Sequence, residues 1–171
     1  MSLAWALNLQ DSLDCDQTDD ADRAVDGCTR ALDSKNLNSR VRSLIYNKRG
    51  NAYNNRGDYG RAITDLNEAI RINPKNAFAY ANRGISYYRT SDYDRAIADQ
   101  SEAIRIDATL ATAYVGRGLS YYKKGDDDRA IADFNESIRI NPKQAIGYSN
   151  RGIVYFRKGD VDRAISDYSE A

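Results

Sequence analysis

The sequence predicts an all-α protein, a solenoid of stacked helical pairs, and three observations carry that prediction. Gly50, Gly84, Gly118 and Gly152 recur every 34 residues, each followed three positions later by Tyr53, Tyr87, Tyr121 or Tyr155. Tyr46, Tyr80, Tyr114 and Tyr148 stand four residues before these glycines, and Ala62, Ala96, Ala130 and Ala164 stand twelve after them. Within each unit the apolar residues keep a helical period throughout. A period of this length means one small supersecondary unit that buries its apolar face on copies of itself.

The first helix of a unit is read from Tyr46, Gly50 and Tyr53, which share one helical face. The second is read from Ala62, Ile63, Leu66, Ala69 and Ile70, a broader stripe of the same kind. Between them Gly57-Asp58, Gly125-Asp126 and Gly159-Asp160 place a left-handed glycine cap before an aspartate N-cap, with Ser91-Asp92 as the variant. Asn73-Pro74 and Asn141-Pro142 stop the second helix, whereas Asp107-Ala108 replaces that pair once and predicts a looser connection. A mid-helix glycine costs roughly 1 kcal/mol against alanine, so Gly50, Gly84, Gly118 and Gly152 need a cause. The expected cause is a close backbone approach of the first helix to the alanine of the second.

The segment before residue 43 is different. Asp22-Arg23-Ala24-Val25 echoes Asp94-Arg95-Ala96-Ile97, and Leu32 takes the place of Ile104, which reads as a second-type helix with no recognisable first helix ahead of it. About four extra residues follow, with Ser39 as the expected cap of a lengthened helix. Residues 1–42 are therefore read as a degenerate N-terminal cap, and residues 43–76, 77–110, 111–144 and 145–171 as four units, the last incomplete. Ala4-Trp5-Ala6 has the small–x–small pattern of a cleavage site, and Ala171 falls inside an expected helix. The chain is read as a fragment or mature portion of something longer.

Composition excludes several function classes. Lys plus Arg equals Asp plus Glu at 25 each, which leaves no net field to gather nucleic acid or anionic membrane. No apolar stretch approaches the roughly 18 residues of a membrane span. Histidine is absent, and with it the commonest general base and metal ligand. The aspartates between Asp14 and Asp26 do not make a calcium loop, since Val25 stands where the closing glutamate belongs. Two cysteines without histidine are too few for zinc. Cys28 lies on the apolar stripe of the cap helix and reads as a buried thiol or as the partner of Cys15 in a disulfide. The disulfide would favour an oxidising compartment, periplasmic or extracellular; without it the chain is expected in the cytoplasm. No cofactor and no metal are expected.

Charged residues also repeat. Arg61, Arg95, Arg129 and Arg163 precede Asp65, Asp99, Asp133 and Asp167 by four residues, and Glu68, Glu102 and Glu136 precede Arg71, Arg105 and Arg139 by three. Most of these read as ion pairs on solvated helix faces. Arg49, Arg83, Arg117 and Arg151, directly before the glycines, have two readings. One is a structural ladder onto Asp65, Asp99, Asp133 and Asp167; the other is a cationic row for an anionic partner.

Tyr114, Gly118, Tyr121, Ala130, Phe134 and Pro142 together carry a resemblance: the array is similar to the tetratricopeptide repeat family over residues 43–171. The resemblance implies a right-handed α-α superhelix whose inner wall is built by the first helix of each unit. Two departures stand out. Arginine replaces the usual leucine before each glycine, and Gln100 stands where Leu66, Phe134 and Tyr168 are apolar, so the core is expected to be softer or wetter there.

By the same resemblance, the groove-facing residues of the first unit include Asn47, Asn51, Asn54 and Asn55. Those of the second include Phe78, Asn82, Ile85, Tyr88 and Arg89. The third offers Thr112, Val115, Leu119, Tyr122 and Lys123, and the fourth Ile146, Asn150, Ile153, Phe156 and Arg157. The implied groove is asparagine-rich at its N-terminal end and apolar–cationic further on, suited to an extended or helical peptide. Some family members clamp the carboxylate tails of heat-shock chaperones. Their clamp lysine would fall at Asn47, their asparagines at Asn51 and Asn82, and their further cations at Thr112 and Gly116. Every cation is missing, which argues against that partner.

The expected function is thus a non-enzymatic module that binds another protein. One alternative is an arm of a larger protein whose catalytic domain lies elsewhere; another is an RNA-binding helical repeat, disfavoured by the balanced charge. Ala164, Ile165 and Tyr168 also offer an edge through which two copies would pair.

Overall fold

A computed structural model describes residues 14–16, 20–34 and 36–171, and the described residues are helical with no strand among them. The helices are α1 (Ala21–Leu32), α2 (Ser39–Arg56), α3 (Tyr59–Ile72), α4 (Ala77–Arg89), α5 (Tyr93–Ile106), α6 (Ala111–Lys123), α7 (Asp127–Ile140), α8 (Ala145–Arg157) and α9 (Val161–Ser169). The expected leader and cleavage pattern at residues 1–6 lie outside the described residues.

Each helical pair turns where glycine and aspartate place it. Gly57, Gly125 and Gly159 adopt φ near +80°, and Ser91, the variant, is forced to φ +63°. Asp58, Asp92, Asp126 and Asp160 then cap α3, α5, α7 and α9 by accepting from the N–H three residues on. The Asp107 connection is not looser than its counterparts. Its main chain makes the same turn as those at Asn73 and Asn141, and the Asp107 carboxylate also accepts from the Thr109 N–H at 2.9 Å and its hydroxyl at 2.6 Å. The cap of α2 is Asn38 rather than Ser39; its side chain accepts from the Val41 N–H at 2.9 Å.

The register glycines have a cause other than the one expected. A Cβ on Gly50, Gly118 or Gly152 would fall 2.7 Å from Leu66, 2.8 Å from Phe134 or 2.9 Å from Tyr168, and one on Gly84 would fall 2.8 Å from Gln100. The glycines therefore make room for the large side chain sixteen positions later. The helical alanine, fully buried as Ala62, Ala96 and Ala130, is a lesser neighbour.

Curvature follows from which helices touch. First helices of successive units meet, α2 with α4, α4 with α6 and α6 with α8, whereas the backbones of α3, α5, α7 and α9 stay farther from one another. The stack is tighter on the first-helix side, and that side is the inner wall. At its start α1 packs on α2, and the helical residues Asp14 and Cys15 lie against Gly27 of α1, where a Cβ would fall 2.5 Å from Asp14. Cys15 and Cys28 are joined by a disulfide that ties the 14–16 segment to α1, and Asp14, buried beside it, holds Arg23 and Arg30 at 2.6 and 2.7 Å.

Candidate functional site

The arginines before the glycines are structural. Arg49, Arg83, Arg117 and Arg151 each make a two-bond fork onto Asp65, Asp99, Asp133 or Asp167, with N–O distances between 2.6 and 2.9 Å. Their third nitrogen reaches back to the preceding unit, to Thr29, Asn67, Ser101 and Asn135 respectively. Each guanidinium also lies over the tyrosine three residues before it, at 5.5 to 5.7 Å. Hydrogen bonding to its aspartate raises each arginine's pKa further, against the opposing effect of burial. These groups form no cationic row in the groove; they bind each unit to the one before it. Thr29 takes the role of Asn67, which marks α1 as the second helix of a preceding unit.

Because those aspartates are taken, Arg61, Arg95, Arg129 and Arg163 do not pair with them across a helical turn. They fold back onto the capping carboxylates Asp58, Asp92, Asp126 and Asp160 and lie over Tyr53, Tyr87, Tyr121 and Tyr155 at 4.3 to 4.7 Å. The arginine side-chain bond, followed by the backbone N–H bond, holds these cap carboxyls below the usual carboxylate range.

The inner wall divides into two stretches. Between α2 and α4 the asparagines bind one another. Asn82 donates to Asn47 at 3.1 Å, Asn54 donates to the Asn82 carbonyl at 2.9 Å, and Ser86 donates to Asn54 at 2.6 Å. Half-buried Asn47, Asn54 and Asn82 are therefore engaged in holding two units together. Asn51 and Asn55 line a separate small depression beside Cys15 and Lys48.

Between α4 and α6 the wall opens into a cleft of about 290 Å³. Ile85, Tyr88 and Arg89 come from α4, and Thr112, Val115, Gly116 and Leu119 from α6; Gln144 and Ile146 close one end and Gln100 of α5 forms part of the floor. The lining is largely apolar. Phe78, 58% exposed, faces a different depression with Leu44 and Ile106. Ile153 and Phe156 are exposed on α8, and Asn150 donates back to the Ile146 carbonyl at 2.8 Å.

The expected cations part company here. Arg157 is not free: it lies over Tyr122 at 3.7 Å, donates to the Tyr122 carbonyl at 3.1 Å and pairs with Asp127. Arg89 and Lys123 are exposed, because the register that supplies Asp127 to Arg157 supplies Tyr59 and Tyr93 to them. Reading by repeat therefore grouped three cations that have different surroundings. The cleft-lining residues Gly116 and Gln144 were not among the expected groove residues. Their signal was present at Gly116, since Lys48, Asn82 and Asn150 occupy its register in the other units.

Among the described residues no group of three or more His, Cys, Asp or Glu side chains is placed to hold a metal, and no helix is long and apolar enough to cross a membrane. The inner wall is a curved surface with an apolar cleft and an exposed guanidinium at its edge.

A family model described as TPR repeat matches residues 50–91, 86–125 and 118–159, and the chain belongs to that family. Solved structures agree in fold. A crystal structure of MamA is 24% identical with a TM-score of 0.75, covering 99% of this chain and 92% of that one. The Arabidopsis OM64 TPR domain is 23% identical with a TM-score of 0.68, over 70% of this chain and 99% of its own. The second TPR domain of human RPAP3, solved in complex with an HSP70 peptide, is 25% identical with a TM-score of 0.65, over 68% of this chain and 98% of that one. Comparison with curated proteins returns no match.

Proposed function

We propose that this chain is a non-enzymatic interaction module that takes a segment of another protein along its inner wall. The observation that carries the reading is the apolar cleft between α4 and α6, where exposed Ile85 lies beside Arg89, next to an α2–α4 stretch that hydrogen bonds hold closed. The RPAP3 domain, which holds a peptide in its solved complex, supports the class of ligand. A chaperone tail is not the proposed ligand: Asn47 stands for the clamp lysine and is bound to Asn82, and Thr112 and Gly116 bring no cation. Nor is nucleic acid, given the balanced charge.

A photo-crosslinking side chain at Ile85, compared with one at Arg71 on the outer helix α3, tests this reading. Crosslinks to one defined partner segment from position 85 and not from 71 are expected. Equal yields from both would move the interface elsewhere. The Tyr88→Ala and Tyr122→Ala pair is a poorer probe, since Tyr122 also carries Arg157.

A second reading concerns self-association. On α9, Ile165 and Tyr168 are 63% and 47% exposed beside buried Ala164, a surface that a second copy would cover. Light scattering of Ile165→Glu against the parent chain tests it, with an unchanged mass counting against pairing. We also propose an oxidising compartment, on the strength of the Cys15–Cys28 disulfide. Intact mass of the protein from its source under non-reducing conditions, two hydrogens lighter or not, decides that point.

A further inference from the structure

We propose that the cleft between α4 and α6 is a selective pocket for one aromatic side chain with a polar hydrogen, tryptophan or tyrosine, beside an acidic residue of the same partner segment. The proposal rests on the groove reading above and names what that groove selects.

Two departures from the repeat meet at one point. Gln100 replaces the Leu66, Phe134 or Tyr168 of the other units, and Gly116 replaces Lys48, Asn82 or Asn150. A Cβ on Gly116 would come within 2.5 Å of Gln100, so the glycine both admits the longer polar side chain and leaves the wall hollow. Neither change has a helical use. Glycine weakens α6, and an amide in the core loses its water.

The Gln100 amide is 1% exposed and half satisfied. Its Nε2 donates to the Ala81 carbonyl at 3.1 Å, which fixes the amide's orientation and leaves Oε1 as the acceptor without a partner. Gln144, at the N-cap of α8, makes no capping bond, and its Oε1 is likewise buried and unpartnered. Both residues line one apolar cleft, and each keeps an amide oxygen without a donor just beneath its surface. Buried acceptors normally have a partner, and a ligand that carries an N–H or O–H on an apolar body would supply it.

Size and charge narrow the ligand. At about 290 Å³ the cleft suits one large side chain rather than a length of backbone. Arg89 lines it and makes no ion pair among the described residues, Tyr59 standing where Asp127 serves Arg157. A lysine would also satisfy the two oxygens, but Arg89 repels it. An aromatic donor followed by a carboxylate meets the oxygens, the Ile85 and Leu119 walls and the guanidinium together.

The test uses the full chain and three blocked peptides identical except at two adjacent positions: Trp-Asp, Phe-Asp and Trp-Lys. Amide NMR titration is expected to shift the Gly116 main-chain signal and the Gln100 side-chain signal, with Trp-Asp binding roughly two- to tenfold more tightly than either of the others. Gln100→Leu should erase the preference for Trp over Phe, and Arg89→Gln the preference for Asp over Lys, with thermal melts reporting that both variants remain folded. Equal affinities for Trp-Asp and Phe-Asp would overturn the proposal. Shifts at Asn51 or Ile153 without any at Gly116 would overturn it too, and would leave the groove reading intact. Silence from all three peptides overturns the pocket, while the crosslink from position 85 judges the groove separately.

Discussion

The junction of α2 with α4 and that of α4 with α6 are built on the same backbone repeat, yet one is sealed and the other hollow. At the first, Asn47, Asn54, Asn82 and Ser86 bind one another, and fully buried Leu66 fills the space beneath Gly50. At the second, Gly116 and Gln100 take the corresponding places and the wall opens. The arginine–aspartate fork is common to both, as Arg83 with Asp99 and Arg117 with Asp133. A repeat array can therefore keep its stacking fixed while single positions on the inner wall decide where a cleft opens. Stacking and cleft formation sit on different registers.

The largest expected effect tests the shared part. Asp99→Ala and Asp133→Ala each leave a largely buried arginine unpaired and should each cost about 3 kcal/mol in chemical denaturation. Similar losses at the two sites would show that the ladder is indifferent to the cleft. A loss confined to Asp133 would break the comparison.

Next come the glycines. Gly118→Ala drives a Cβ against the fully buried ring of Phe134 and should cost about 2 kcal/mol. Gly84→Ala meets the end of the Gln100 side chain, which can yield beside the cleft, and gains helix propensity, so its cost should be well under half as large. Melting of the two variants side by side measures the difference. Gln100→Leu should stabilise the chain by about 1 kcal/mol, by removing a buried acceptor that has no partner. A destabilised Gln100→Leu would mean that the amide is satisfied after all.

The smallest effect is set by pH. The Asp58, Asp92, Asp126 and Asp160 carboxyls have folded pKa values depressed first by their arginine partners. Depressed acids contribute stability that is present above their unfolded pKa, about 4, and lost as pH falls through the folded value. The melting temperature should therefore hold near pH 6 and decline below about pH 4. Replacing all four by Asn, which still caps a helix but does not titrate, should flatten that decline.

Much of this was legible beforehand because repetition supplies an internal comparison. The left-handed glycines at 57, 125 and 159 and the aspartate caps were readable as local chemistry. The register of Arg49 with Asp65 was readable as a pairing, though not its third bond to Thr29, which needs α1 in place. The candidate site was read less well. Asn47, Asn54 and Asn82 share the inner wall with Ile85, but whether an asparagine faces a ligand or its neighbour depends on packing between units, and here they face each other. Phe78, Ile85 and Arg157 likewise share a wall by register yet belong to three different surroundings.

By itself the sequence determined the helices and the stacking unit and offered the arginine–aspartate pairing as one of two readings, because each rests on contacts at short or regularly repeated separations. Only the tertiary structure decided where the wall closes and where it opens. Those outcomes depend on how side chains from three helices compete for one volume, and no periodicity encodes that competition.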